Sequence, residues 1–215
     1  MKMYDSYLFD ADGTLFDTVD LICDCFHYIA EKYGDKALDR HTIIKGIGSP
    51  LKGQILTHLG TDLDLDLILA DYLQYQLTIM EDKITPFPHV TETLETLKSA
   101  GKKLAVVTSR RRFSLEKILE STDTARYFDV LVTPEDTIRH KPNAEPALKA
   151  ISLLGADTSS TVFTGDAMYD ICSGASAGID TIFVNWSHAA PSSLPVPPTW
   201  TINSLRELTV GLTRR

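Results

Sequence analysis

The sequence is short of cysteine, with three residues in 215, and it carries no run of Lys and Arg long enough to form a basic block. The cysteines argue against a disulfide framework, because their number is odd and Cys23 and Cys25 would point to different faces of a helix. The same features argue against a thiolate metal site. The histidines His27, His41, His58, His89, His140 and His188 are scattered without metal-ligand spacing. Lys and Arg number 21 against 29 Asp and Glu, a formal charge of −8. This balance argues against nucleic acid or an anionic lipid surface as partner. Uninterrupted apolar runs of roughly eighteen residues are absent, and Met1-Lys2-Met3 reaches Asp5 and Asp10 before any apolar signal core develops. The expectation is a cytoplasmic protein that engages no membrane.

What is present is ordinary for a folded domain. Hydrophobic residues make up 43% and charged residues 23%, which argues against disorder and against a fibrous repeat. A chain of 215 residues can bury a sizeable core as one domain with an insertion or as two small ones.

Tyr7-Leu8-Phe9 is a short apolar run that ends in Asp10 and is followed by Gly13, the pattern of a buried strand stopping at a tight turn. Similar runs are Lys103 to Thr108, Phe128 to Thr133, Thr161 to Thr164 and Asp180 to Asn185. Between them lie helical patterns, such as Val90, Leu94 and Leu97 closed by Gly101, and Leu148, Ile151 and Leu154 closed by Gly155. The alternation predicts an α/β fold: a Rossmann-like parallel sheet with helices on both faces.

One segment breaks the alternation. From about Phe16 to Lys83 the pattern is helical, so the core is expected in 1–16 and 84–215 and an all-helical insertion in 17–83. Its first helix carries Ile22, Cys25, Phe26, Ile29, Ala30 and Tyr33 on one stripe, and another begins after Ser49 with Pro50 in its first turn. Leu63-Asp-Leu-Asp-Leu67 alternates like a strand, but Ile68, Leu69, Tyr72, Leu73 and Gln76 extend it as a helix. After Val184 a loop over 187–198 leads to a short strand near Trp200 and a terminal helix.

In an open parallel sheet, ligands bind beyond the carboxyl ends of the strands, so strand-end residues converge. The ends here carry Asp10 and Asp12, Thr108-Ser109-Arg110, and Gly165-Asp166 followed by Asp170, while the loop after the third strand leads to Lys141-Pro142. Crowded carboxylates repel one another unless a cation intervenes. Oxygen ligands without clustered His or Cys favour Mg²⁺, with Asp10 and Asp166 as direct side-chain ligands. Taken singly, Asp10 and Asp12 are turn formers, Thr108 is a strand-end hydroxyl, Lys141 is surface, and Asp166 and Asp170 cap a helix. None of these explanations predicts all the positions together.

The string Tyr7-Leu-Phe-Asp10-Ala-Asp12-Gly-Thr-Leu-Phe-Asp17 resembles the first motif of the haloacid dehalogenase-like hydrolases. Val106-Val-Thr108-Ser109 resembles the second, His140-Lys141-Pro142 the third, and Val162-Phe-Thr-Gly165-Asp166-Ala-Met-Tyr-Asp170 the fourth. The resemblance implies Asp10 as nucleophile, Asp12 as general acid and base, and Thr108 and Lys141 as groups that hold and neutralise the phosphate. It places Mg²⁺ on Asp10, Asp166, Asp170 and the main-chain carbonyl of Asp12. Asp12 must be protonated to act as an acid, so nearby carboxylates and burial are expected to raise its pKa. The insertion resembles the family's small helical cap. Its turn Lys45-Gly-Ile-Gly48-Ser-Pro50 resembles the specificity loop, which offers Lys45 to a second anionic group. Ser109 and Arg110 are further candidates for substrate contact.

Within the family the resemblance points to phosphoglycolate phosphatases: Mg²⁺-dependent hydrolysis of a small phosphorylated metabolite through an aspartyl-phosphate, by a monomer or homodimer. The alternatives are a pyrophosphatase, a sugar phosphomutase and a catalytically silent binding module. Mutases usually carry a His where this chain has Val19-Asp20-Leu21-Ile22. Ser109-Arg110 also departs from the amide and lysine common in phosphoglycolate phosphatases, and Ala144 from a second proline.

Overall fold

The fold is that of a computed structural model, which describes residues 2–34, 36–60, 64–189 and 191–212. In chain order the strands are β1 (Ser6–Phe9), β2 (Phe16–Asp17), β3 (Thr85–Pro86), β4 (Lys103–Val107), β5 (Val130–Val132), β6 (Thr161–Gly165), β7 (Asp180–Val184) and β8 (Trp200–Ile202). The helices are α1 (Val19–Tyr33), α2 (Arg40–Gly46), α3 (Leu51–Leu59), α4 (Leu65–Lys83), α5 (Val90–Ser99), α6 (Arg112–Ser121), α7 (Glu145–Leu154) and α8 (Met168–Ser176).

Six strands form one parallel sheet in the order β5-β4-β1-β6-β7-β8. The chain winds outward from β1 through β4 to β5, then returns to lay β6, β7 and β8 on the other side. The reversal falls between β1 and β6, and there the loops part into a crevice. Alternation along the strands assigns side chains to two layers. Leu8, Ala105, Val107 and Phe163 pack with Ala147, Ala150, Ile151 and Leu154 of α7 on one face. Tyr7, Phe9, Leu104, Val106 and Val162 face the other way, with Val90, Leu94 and Leu97 of α5 and Leu115, Ile118 and Leu119 of α6. That second layer continues into the helical insertion through Phe26, Ile29, Ile43, Ile55, Ile68 and Tyr72, so one apolar cluster joins sheet and insertion.

The expected stripe on α1 is buried from Ile22 to Ala30, with Tyr33 packed at its margin. Cys23 is buried as well, because α1 sits between neighbours on more than one side. Helix α4 covers the part of the alternating stretch that is described, with Asp64 capping it by accepting from Leu67 N–H; Leu63 lies outside the described residues.

Four local expectations are corrected. The insertion is flanked by a strand pair: Phe16 and Asp17 of β2 pair antiparallel with Pro86 and Thr85 of β3, bringing its entry and exit together. A two-residue strand is too short to show a period, and Pro86 suits it because an edge strand has no need of a donor there. Leu148 is 44% exposed, and the inner stripe of α7 is instead Ala147, Ala150, Ile151 and Leu154. Positions spaced strictly by three drift around a helix, and the small alanines allow close approach to the sheet. The third core strand shrinks to Val130–Val132, because 3-10 turns at Ala125–Tyr127 and Pro134–Asp136 take up its flanks. The terminal helix is a 3-10 turn, Leu205–Thr209, begun by a capping box of Ser204 and Glu207. Among the described residues no helix is long and apolar enough to cross a membrane.

Candidate active site

The strand ends converge as the parallel topology requires. Asp10 N–H extends the β1 ladder by donating to Thr164 O at 2.9 Å, and Thr108 N–H extends β4 by donating to Val132 O at 3.0 Å. Asp166 follows β6 directly, on the other side of β1. Lys141 arrives from the loop after β5, and its ammonium donates to Asp10 Oδ1 at 2.8 Å, to Asp170 Oδ1 at 2.6 Å and to Val107 O at 3.3 Å. Asp170 projects from the first turn of α8, where its Oδ2 also accepts from Ala167 N–H at 3.0 Å. The helix-capping role and a place in the site are therefore both true of Asp170.

The turn that carries these groups leaves no room for side chains. Gly13 has φ +76°, and a Cβ there would lie 2.3 Å from Asp166 Oδ2. A Cβ on Gly165 would meet the Cβ of Asp170 at 2.2 Å. Thr14 hydroxyl donates to Asp166 Oδ1 at 3.3 Å, and Ser187 hydroxyl donates to Asp166 O at 2.6 Å. Neither residue was singled out from the sequence: hydroxyls carry no signal until the chain reversal brings residue 14 and residue 187 to residue 166.

Asp10, Asp166 and Asp170 are all buried, and their carboxylate oxygens lie within 4.8 Å of one another. One ammonium does not balance three carboxylates. Burial first, then repulsion from Asp170 and Asp12, pushes Asp10 up to about 7 against the opposing pull of Lys141. Burial, followed by the charges of Asp170 and Asp10, raises Asp166 well above the usual carboxylate range. A shortage of positive charge among buried oxygen ligands is what a hard divalent cation relieves, so the residues present fit one.

This shortage has a consequence for metal-free protein. A carboxyl whose pKa is higher folded than unfolded contributes stability below the unfolded value of about 4. That contribution is lost as pH rises through about 7 for Asp10. In chelator, the melting temperature is expected to fall between pH 5 and pH 8, and added Mg²⁺ is expected to restore more of it at pH 8 than at pH 5. Melts followed by circular dichroism check both signs.

Asp12 behaves differently from expectation. Burial does raise its pKa, but the Arg110 guanidinium more than offsets this and holds the carboxyl below its ordinary value. Arg110 Nε lies 2.9 Å from Asp12 Oδ2 and 3.1 Å from Oδ1, with a second nitrogen 2.6 Å from Oδ1. The sequence showed Asp12 among acids, whereas the fold also sets a buried guanidinium against its side chain. Arg110 itself is 8% exposed and also donates to Gln76 and Ser114. Gln76 was visible only as a polar residue on the apolar stripe of α4, and such a residue signals a buried hydrogen-bond partner.

Asp10, Asp12, Thr108, Ser109 and Arg110 line one cavity of about 60 Å³, closed from the insertion by Ile47, Gly48, Ser49, Gln54, Tyr72 and Gln76. Thr108 Oγ1 accepts from Arg110 N–H at 3.1 Å, and Ser109 hydroxyl donates to Gly48 O at 3.1 Å across the joint. Lys45 is not in this cavity. It lines a neighbouring chamber of about 460 Å³ that shares Gly13 and Asp166 with the site and also holds His41, Tyr169 and His188.

Comparison with known proteins agrees with this geometry. The family described as haloacid dehalogenase-like hydrolase matches residues 7–184. A protein of Caldanaerobacter subterraneus subsp. tengcongensis, provisionally named pyrophosphatase PpaX, is 38% identical over 180 residues, covering 84% of this chain and 81% of its own. Pyrophosphatase PpaX of Halalkalibacterium halodurans is 35% identical over 183 residues, covering 84% and 83%. Among solved structures, a provisionally assigned haloacid dehalogenase-like hydrolase from Bacteroides fragilis superposes with a TM-score of 0.89 at 28% identity, covering 95% of this chain and 99% of that one. With its six-stranded parallel sheet, its helical insertion and its buried acids at the strand ends, this chain belongs to the haloacid dehalogenase-like hydrolases.

Proposed function

We propose that this enzyme hydrolyses inorganic pyrophosphate through an aspartyl-phosphate on Asp10, and that phosphoglycolate, the substrate the sequence alone favoured, is secondary. The observation that carries the reading is the buried Lys141–Asp10 pair at 2.8 Å, set beside Thr108 and the acids Asp166 and Asp170. A carboxylate attacks a phosphate anion only where positive charge offsets their repulsion, and this arrangement supplies it.

In this reading an Asp10 oxygen forms a bond to phosphorus while the bond from phosphorus to the leaving oxygen breaks, releasing the first phosphate. Lys141 neutralises charge, and the Thr108 hydroxyl orients a phosphoryl oxygen. Water then attacks the aspartyl-phosphate, Asp12 takes its proton, and the bond from Asp10 to phosphorus breaks to give the second phosphate. Asp10, Asp166 and Asp170, with the Asp12 carbonyl, would hold magnesium, which would further neutralise the phosphoryl oxygens.

Two considerations support pyrophosphate over a glycolate ester. The relatives at 35% and 38% identity carry the pyrophosphatase name. In addition, Asp12 held ionised beside Arg110 is a poor proton donor, and a phosphate leaving group needs no strong acid whereas an alkoxide does. Ser109 and Arg110 border the phosphate position, and Lys45 in the adjoining chamber is offered to a more distant anionic group. Phosphate release should be measured with Mg²⁺ on pyrophosphate, phosphoglycolate and a sugar phosphate. The reading expects kcat/KM for pyrophosphate to exceed the others by at least about tenfold, a difference within reach of leaving-group recognition alone. A preference for phosphoglycolate overturns it.

A further inference from the structure

Arg110 is a buried cation committed to protein partners. Its Nε bridges both oxygens of Asp12, a second nitrogen adds 2.6 Å to Oδ1, and a third nitrogen donates at 3.0 Å to Gln76 Oε1 and at 2.7 Å to Ser114 Oγ. Ser114 hydroxyl in turn donates to Gln76 Oε1 at 2.7 Å, closing a triangle in which Gln76 and Ser114 are 4% and 3% exposed. A guanidinium has five N–H groups, and these contacts use four of them. Little of Arg110 is left to hold substrate, and the fork-to-carboxylate geometry fixes the plane of Asp12 as a lysine could not.

The three anchors come from separate parts of the chain. Asp12 follows β1, Ser114 lies in α6, and Gln76 lies in α4 of the helical insertion. We infer that Arg110 is the positioning residue for Asp12, and that Gln76 makes this positioning depend on α4 being docked against the core. Asp12 then stands ready to take a proton from water only while the insertion covers the cavity. The order matters for an aspartyl-phosphate, because water that meets it with no base in place attacks it only slowly. This inference rests on the aspartyl-phosphate reading above.

The test separates formation of the phospho-enzyme from its breakdown. Wild type, Arg110→Lys, Gln76→Met, Gln76→Glu and the double variant Arg110→Lys/Gln76→Met would be mixed with labelled pyrophosphate, and separately with p-nitrophenyl phosphate, then acid-quenched over time. Arg110→Lys is expected to slow breakdown by about a hundredfold, the lower range of a general base's contribution, with formation little changed. Phospho-Asp10 should accumulate, and kcat and KM should fall together. Gln76→Met should slow breakdown by about tenfold, the size of one hydrogen bond to a charged group. Gln76→Glu keeps an acceptor oxygen and should recover most of that loss.

The double variant should be no slower than Arg110→Lys alone, because Gln76 acts through Arg110. Multiplying effects in the double variant, a rise in KM with kcat unchanged, or equal slowing of both steps would each overturn the inference. If Arg110→Lys does not fold, the Gln76→Met and Gln76→Glu pair decides by the same partition. If neither wild type nor Asp12→Asn ever labels, the aspartyl-phosphate reading has failed instead.

Discussion

Replacing Asp10 with Asn is expected to lower turnover of pyrophosphate by at least about ten-thousandfold, on the scale seen when a covalent nucleophile is removed. Asn fills the same volume, but its amide oxygen carries no charge and does not form a stable bond to phosphorus. Loss of folding is not the cause under this account. Asp10 is 2% exposed and burial pushes it up to about 7, so at pH 8 its charge is unfavourable in metal-free protein. Removing that charge should leave the melting temperature in chelator no lower than the parent's. Phosphate release paired with a melt therefore distinguishes a chemical loss from a structural one. An Asp10→Asn protein that melts normally and still turns over would end the assignment of Asp10.

The second large effect belongs to Lys141. Its ammonium is buried between Asp10 and Asp170, and their charges raise its pKa against the opposing effect of burial. Lys141→Met keeps the length of the stem and removes the charge. Breaking a buried ion pair from one side costs about 3–5 kcal/mol, because the remaining charge has lost its partner while staying out of water. The carboxylates Asp10, Asp166 and Asp170 would then face one another with no cation supplied by the protein. Urea unfolding in chelator should show that loss near neutral pH, and a smaller one at pH 5, where protonation relieves the repulsion. Mg²⁺ should recover part of the stability but little of the activity, since the charge facing the attacking oxygen is still missing. Equal loss at both pH values would mean that Lys141 contributes packing rather than charge.

Much of the architecture was legible because hydrophobic periodicity is a local property. The run at Tyr7-Leu8-Phe9 and the stripe at Ile22, Cys25, Phe26 and Ile29 each bury their own apolar groups in the expected way, and the sheet follows from their alternation. The misses share a cause. Strands of two residues at Phe16 and Thr85 exist only because the two ends of the insertion meet, and Leu148 is exposed because the sheet selects which edge of α7 packs.

The site divides in the same way. Asp10, Thr108, Lys141 and Asp166 were readable from their own stretches of chain, since each ends a strand or lies in a loop at the same end of a parallel sheet. Sequence alone therefore determined the fold class and that Asp10, Thr108, Lys141 and Asp166 end at one edge of the sheet, because strand direction commits those ends together; Lys45, expected beside them, lines the neighbouring chamber instead. The state of Asp12 was not determined there: its neighbours in sequence are acids and a turn, whereas its partner in space is Arg110, anchored by Gln76 and Ser114. Only the tertiary structure decided that, because pKa and orientation depend on charges within a few ångströms, and those come from chain segments whose separation in sequence says nothing about their distance.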